Sequence, residues 1–240
     1  MADPFEFEIA GIKVVVTFKD IKNVHLSVNP PHGAVRISAP ARTSPETIRL
    51  FAISKLAWIK QRRKKFQEQE REPPRDYVER ESHYVWGKRH LLKIEQADGA
   101  PRVEFRNRRL VLSVRADADA AARQEAFDAF YRQQLRMKVG ALIAKWEPVL
   151  GVKVKRVLVQ RMKTKWGSCA SASRNIRLNS DLAKKPPECL EYVVLHEMAH
   201  LLEPTHNARF IGLMDAYMHD WRVQRGRLNR LPVRHEDWDH

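Results

Sequence analysis

The stretch His196-Glu-Met-Ala-His-Leu-Leu-Glu-Pro-Thr-His206 decides how this 240-residue chain is interpreted. His196 and His200 are four residues apart, so a helix presents both on one face. Two imidazoles with this spacing bind one zinc ion, and His206, six residues further on, supplies a third nitrogen. Three protein ligands leave the fourth position of a tetrahedral zinc open, which is typical of a catalytic site. The stretch therefore predicts one zinc ion per chain.

The helix that carries this stretch has recognisable ends in the sequence. Pro186-Pro187-Glu188 is typical of a helix start, because proline fits the first turn and an acidic residue suits the positive end. Pro204 is expected to end the helix, so that the chain turns back and brings His206 to the metal. Glu203 is the alternative third ligand. The helix is expected to be buried through Leu190, Val193, Val194, Met198, Leu201 and Leu202.

Glu197 stands next to the first histidine and is expected to act as the general base. Zinc lowers the pKa of a bound water from about 15.7 to about 7, so an ordinary carboxylate can take its proton. Glu197 would then deliver that proton to the leaving amine of a peptide. These residues predict a zinc-dependent peptidase that uses a zinc-activated water.

A second unusual segment, KTKWGSC at 163–169, joins two predicted strands just before the zinc helix. An edge strand at this place can pair with an extended peptide by strand addition. Trp166, Gly167 and Ser168 are therefore candidate substrate contacts. A tight turn with Trp166 packed in the core is the alternative. His219 is a further candidate contact, or an ordinary residue at a helix end.

The rest of the chain predicts an α+β fold with a strand-rich N-terminal region. Short alternating apolar stretches within 5–38 predict strands. Thr43 or Ser44, followed by Pro45 and Glu46, predicts the start of a helix that reaches Phe66. Asp98-Gly99 predicts a β-hairpin. A helical pattern runs from about Asp119 to Leu150. We expect an N-terminal α+β subdomain (1–72), a connector with a hairpin region (73–118) and a catalytic domain (119–240).

Charge and composition limit the partners. The net charge of +15 attracts polyanions without any specific site. Five basic residues close the predicted first helix, and they indicate either non-specific contact with nucleic acid or a solvated helix end favoured by the helix dipole. These residues are Lys60, Arg62, Arg63, Lys64 and Lys65.

Cellular location is predicted from two absences in the sequence. The chain has only two cysteines, Cys169 and Cys189, so a disulfide framework is not expected and a reducing cytoplasm fits best. No apolar run approaches the roughly 20 residues of a membrane span, so no membrane partner is expected.

Four motifs carry a resemblance to a known family: KTKWGSC (163–169), IRLNSDL (176–182), EYVVLHEMAHLLEPTHNARF (191–210) and, weakly, HDWRVQRGRLN (219–229). The chain resembles the YgjP-like metallopeptidases, relatives of the SprT-like zincins. The resemblance implies a compact zincin fold, zinc bound by His196, His200 and His206, and a catalytic Glu197.

The resemblance also frames the functions that compete with a peptidase acting on protein or peptide substrates. SprT-like relatives include proteases that act on proteins attached to DNA, so a nucleic-acid-associated protein is one alternative. A zinc hydrolase of a non-peptide amide is another, because the histidine motif alone does not define the bond that is cleaved.

Overall fold

The computed structural model of the chain describes residues 5–29, 32–68, 72–106 and 109–232, and it has an α+β fold with a strand-rich N-terminal region, as predicted. The fold divides into two compact units, here called the N-terminal unit (within Met1–Arg71) and the C-terminal unit (within Glu72–Arg234). Residues 73–118 and the described part of 119–240 lie in the same unit. The division into three domains, 1–72, 73–118 and 119–240, stays a prediction.

The N-terminal unit contains a four-stranded sheet with the order β1-β2-β4-β3. Strands β1 and β2 are antiparallel, β2 and β4 are parallel, and β3 and β4 are antiparallel. Alternate side chains of these strands, among them Val14, Val16 and Ile37, are buried in the core of this unit. The strands are β1 (Phe5–Ile9), β2 (Ile12–Lys19), β3 (His25–Asn29) and β4 (Ala34–Pro40).

Two helices, α1 (Pro45–Ser54) and α2 (Leu56–Glu68), follow this sheet. The side chain of Ser44, and not that of Thr43, caps α1 by accepting a hydrogen bond from the backbone N–H of Thr47 at 3.2 Å. The single helix predicted to Phe66 is wrong, because Lys55 departs from helical geometry and its N–H bonds back to the carbonyl of Ala52. Each helix buries apolar residues of its own, Ile48 and Ala52 in α1 and Ile59 beyond the break.

The first sheet of the C-terminal unit has the order β5-β6-β8-β7 and repeats the pairing senses of the N-terminal sheet. The hairpin predicted at Asp98-Gly99 is wrong, since β6 pairs in parallel with β8 and not with β7. Residues 110–114 are all buried, and a strand covered on both faces belongs in the interior of a sheet. The strands are β5 (Ser82–Val85), β6 (Lys88–Gln96), β7 (Arg102–Arg106) and β8 (Arg109–Val114).

A long helix and a second sheet continue the C-terminal unit. Helix α3 (Ala120–Leu150) begins at Asp119, whose side chain accepts from the N–H of Ala122, and ends at Gly151 in the left-handed conformation with φ 65°. The sheet has the order β10-β11-β9, with β10 antiparallel to β11 at one edge. Its strands are β9 (Arg156–Gln160), β10 (Gly167–Ala170) and β11 (Asn175–Asn179).

Helix α4 (Pro187–Ala199) is the centre of the C-terminal unit and packs against α3, β10, α5 (Ala208–Tyr217) and α6 (Trp221–Arg230). Proline in the first turn agrees with the predicted start. The helix ends at Ala199 and not at Pro204. The N–H groups of Leu201 and Leu202 bond three residues back, so the last turn tightens before the proline is reached.

Buried charges connect the start of the C-terminal unit with the 3₁₀ turn Ser180–Lys184 that precedes α4. The ammonium of Lys184 lies 2.9 Å from the carboxylate of Glu72 and 3.1 Å from that of Asp181. The ammonium of Lys185 lies 3.7 Å from the other oxygen of Glu72. All four side chains are buried, so each charge depends on these partners.

Two observations on the described residues bear on the predicted cellular location. No helix there combines the length and the apolar character needed to cross a bilayer. Cys169 is half-buried and Cys189 is buried, and both are free thiols. A cytoplasmic location stays a prediction.

Candidate metal centre

The structure brings His196, His200 and His206 together at the end of α4. His196 lies on the last turn of the helix, His200 occupies the position that ends it, and His206 precedes the start of α5. One nitrogen from each ring lies within 4.8 Å of those from the other two, and Nε2 of His196 is 2.9 Å from Nε2 of His206. The turn after Ala199 therefore returns the third histidine to the first two.

Local hydrogen bonds fix the ring of His200. Its Nδ1 lies 3.0 Å from the carbonyl oxygen of Glu203, which can only accept, so Nδ1 is the donor and Nε2 is the nitrogen that faces away from this bond. The hydroxyl of Ser171 donates to the carbonyl of His200 at 2.8 Å and secures the end of the helix. Such outer contacts orient metal-binding histidines and raise their basicity.

Phe210 forms an apolar support for all three imidazoles. Its ring centroid lies 4.9 Å from that of His196, 4.6 Å from that of His200 and 4.8 Å from that of His206. The ring is 2% exposed and is positioned by Asn207, whose side chain accepts from the Phe210 N–H and caps α5. One residue of α5 thus sets how closely the histidines approach each other.

Glu203 is not part of this cluster. Its carboxylate accepts hydrogen bonds from the hydroxyl and the N–H of Thr205 and lies 4.0 Å from Arg209. The hydrogen bond from Thr205 is the main reason that the pKa of Glu203 is lowered. The side chain of Glu203 shapes the return loop, while its backbone carbonyl holds His200.

The donor set fits a zinc ion. Two nitrogens bound tetrahedrally to one zinc lie roughly 3.3 Å apart, close to the distance between His196 and His206. Burial, and then the charges of His200 and His206, lower the pKa of His196 to about 3, and burial also lowers the pKa of His206. Both rings are therefore neutral at physiological pH, as metal ligands must be.

Glu197 is buried between the histidine cluster and strand β10. Its side chain is 6% exposed, and burial raises its pKa to about 7, while the charge of Lys165 acts in the opposite direction. A Cβ placed on Gly167 would lie 2.7 Å from Oε1 of Glu197. The carboxylate thus rests directly against the backbone of the edge strand, where only glycine leaves it room.

The predicted substrate contacts are divided between two places. Gly167 and Ser168 lie on β10, and Trp166 immediately before it, with its carbonyl accepting from the N–H of Asn179 at 2.9 Å. His219 is exposed in the turn between α5 and α6 and does not line the cavity beside Glu197. A role for each of these residues in substrate binding stays a prediction.

That cavity, of about 220 Å³, opens beside Glu197 and His196. Its wall includes residues with no role predicted from the sequence, among them Tyr192 on α4, Arg225 on α6 and Lys165 before β10. The ring of Tyr192 lies 5.7 Å from that of His196 and stacks on Trp221 at 6.4 Å. The cavity is lined by Lys165, Trp166, Gly167, Tyr192, Val193, His196, Glu197, Arg225, Leu228 and Asn229.

A buried glutamate beside three converging imidazoles, on a helix packed against an edge strand, is an arrangement typical of metallopeptidases. The chain belongs to the YgjP-like family: the model of the YgjP-like metallopeptidase domain matches residues 22–231. No curated protein sequence matches the chain.

Among solved structures, the chain is similar to two metallopeptidase zymogens. Abylysin from Pyrococcus abyssi has 20% sequence identity and a TM-score of 0.35, over 38% of this chain and 90% of abylysin. Jannalysin from Methanocaldococcus jannaschii has 18% identity and a TM-score of 0.35, over 38% of this chain and 93% of jannalysin. The enzyme class rests on the family match and on the geometry of the site.

Proposed function

We propose that the protein is a zinc-dependent peptidase in which His196, His200 and His206 hold the metal and Glu197 is the general base. The observation that carries the proposal is the position of the Glu197 carboxylate. It is buried one residue from a histidine of the cluster and lies against Gly167 of the edge strand. A reacting group would there be within reach of the histidine cluster, the base and a strand that can bind peptide.

Strand β10 supports a peptide as the substrate. Among the described strands it pairs only with β11, so its other edge offers backbone groups to an extended chain. An added strand would run along Gly167 and Ser168 and bring a peptide bond next to Glu197. The missing side chain at Gly167 leaves room for the Glu197 carboxylate against this strand, so the base stands beside the backbone that would bind the peptide.

The chemistry assigned to this chain's own residues is proton transfer. A bound zinc supplies a Lewis acid and makes an adjacent water more acidic. Glu197 takes a proton from a water molecule while the oxygen of that water attacks the carbonyl carbon of the peptide. The same carboxyl group gives that proton to the amide nitrogen as the C–N bond breaks, so water is consumed and an acid and an amine are formed.

The test compares Glu197→Gln with Glu203→Gln. We expect Glu197→Gln to keep about one zinc per chain and to lose peptide hydrolysis at least about 100-fold, because an amide cannot accept the proton. Glu203→Gln should keep both zinc and activity. Hydrolysis by Glu197→Gln at the unaltered rate would refute the assignment of the base. Cleavage of simple amides but of no peptide would favour the non-peptide hydrolase.

A second activity, non-specific contact with nucleic acid, is favoured by one feature of α2. The guanidinium of Arg62 lies 5.6 Å from the ring centroid of Trp58, which is 39% exposed, so an aromatic surface and a cation are presented together. Lys60 and Lys64 are exposed on the same helix. Arg63 is half-buried against Gly33. The side chain of Lys65 lies outside the described part of the chain.

Salt dependence of DNA binding tests this second activity. Replacing Lys60, Arg62 and Lys64 by glutamine should reduce the slope of log affinity against log salt by up to about 0.9 for each phosphate that is no longer neutralised. The matched control replaces Lys19, Lys22 and Arg42 by glutamine and removes the same charge from the same unit. An equal effect of both triple variants would show that only net charge matters.

A further inference from the structure

The cavity beside Glu197 contains two cations without an anionic partner among the described residues. Lys165 stands just before the edge strand and Arg225 on α6, and both line the cavity. No ion pair joins either side chain to a carboxylate within the described ranges. By contrast, two other arginines of α6 are paired, Arg222 with Asp215 and Arg227 with Glu188.

The two exposed side chains of the cavity wall, those of Lys165 and Arg225, are both cationic. Among the described residues of the cavity wall, Glu197 is the one carboxylate, and it is buried against Gly167. Both cations are therefore accessible to a charged group that enters from solvent, whereas the acid is buried.

The remaining walls suit a short side chain with a charged end. Trp166, Tyr192, Val193 and Leu228 provide apolar surface, and Asn229 adds an amide. The volume of about 220 Å³ accepts one side chain and not a folded segment. A positively charged end group would be repelled by both cations, whereas a carboxylate would pair with them.

We infer that this cavity is a carboxylate-binding subsite, with Lys165 and Arg225 as its cations, which selects peptides carrying an acidic residue next to the bond that is cleaved. The inference rests on the proposed peptidase function and adds a substrate class to it. A free C-terminal carboxylate offers the same chemistry, so the experiment separates the two sources.

The experiment uses peptides blocked at both ends that differ only in Glu, Gln or Lys beside the scissile bond, on either side of it. We expect kcat/KM for the Glu peptide to exceed that of its Gln counterpart by about tenfold, since two partly exposed ion pairs are formed. The Lys peptide should be the poorest substrate. Peptides of neutral side chains with a free or an amidated C-terminus form the second arm, and a preference for the free acid would assign the subsite to the chain end.

Variants connect the preference to the two cations. The double substitution Lys165→Gln with Arg225→Gln should bring the ratio of Glu to Gln substrates close to one. Arg225→Glu should favour the Lys peptide. Arg230→Gln, on the same helix but outside the cavity wall, should leave the ratio unchanged. An unchanged ratio in the double variant would overturn the inference.

A binding measurement separates failure of the subsite from failure of the peptidase. The Glu197→Gln protein is titrated with the same peptides carrying a fluorophore, and anisotropy gives Kd without turnover. Tighter binding of the Glu peptide, abolished by Lys165→Gln with Arg225→Gln, supports the subsite even if no peptide is hydrolysed. Equal Kd values for the Glu and Gln peptides refute the subsite while leaving zinc-dependent hydrolysis intact.

Discussion

Gly167 and Glu197 are in van der Waals contact across the site, and the missing side chain of Gly167 is the space that the carboxylate occupies. A Cβ at residue 167 would lie 2.7 Å from Oε1 and 2.8 Å from Cγ of Glu197, distances at which one of the two must move. The edge strand that would bind the substrate therefore also determines where the base stands.

Gly167→Ala should displace the Glu197 carboxylate without removing the metal ligands. We expect kcat/KM to fall by about 100-fold, the loss associated with misplacing a reacting group by about 1 Å. Zinc content should be unchanged. Gly212→Ala is the matched control, because a Cβ there meets nothing within 4 Å in α5 and should leave activity intact. Full activity of Gly167→Ala would show that the base tolerates movement.

His206→Ala should weaken zinc binding by at least about 100-fold, since only two imidazoles remain. Titration against a chelator of known affinity measures the change. Glu203→Ala is the comparison: its carboxylate lies with Thr205 and Arg209, away from the cluster. A larger loss in Glu203→Ala than in His206→Ala would make Glu203 the third ligand.

Lys184→Met should destabilise the protein by about 3–5 kcal/mol, because Glu72 and Asp181 would be left buried with less compensating charge. Urea unfolding followed by tryptophan fluorescence gives the change. Adding Glu72→Gln to Lys184→Met should restore part of the lost stability, since one unpaired charge is removed. No recovery in the double variant would contradict a coupled ion pair.

His83 should make the protein sensitive to mild acid. Burial, assisted by the charges of Arg75 and Lys184, lowers its pKa from 6.5 to about 3, and its ring stacks on Phe127 at 4.2 Å. The unfolded chain takes up a proton below about pH 6.5 and the folded protein does not. The stability that His83 contributes is complete above pH 6.5 and falls by about 1.4 kcal/mol per pH unit towards pH 3.

His83→Phe keeps an aromatic ring and removes this titration. The unfolding free energy of the variant should depend less steeply on pH between 6.5 and 4 than that of the unaltered protein. Groups such as Glu72, whose folded pKa is also lowered, remain in both proteins and cancel in the comparison. Parallel pH profiles would show that His83 is protonated in the folded state.

The features of the site that can be predicted from the sequence are those that depend on residues close together in the chain. His196 and His200 share a face because of helical spacing, and the start of α4 at Pro187 follows from the constraints on proline. The end of α4 at Ala199 depends on 3₁₀ bonds in the last turn. The sequence does not predict that Lys165 and Arg225 line one cavity, because this requires both α6 and β10 to pack against α4.

Strand order shows the same limit. Asp98-Gly99 has the composition of a hairpin turn, yet β8 inserts between β6 and β7. The hydrophobic run Leu110–Leu112 requires cover on both faces, and this tertiary demand outweighs the local preference of the turn. The apolar composition of this strand indicates that both of its faces are buried. It does not indicate which strands lie on either side of it.

The ion pair between Glu72 and Lys184 also restricts how the gene can be shortened. The two residues are 112 positions apart in the chain, and the carboxylate belongs to the first residue of the C-terminal unit. A truncated protein that starts at residue 76 would keep every histidine of the cluster but lack Glu72 and Arg75. We expect expression trials to yield folded, zinc-loaded protein only from fragments that begin at or before Glu72.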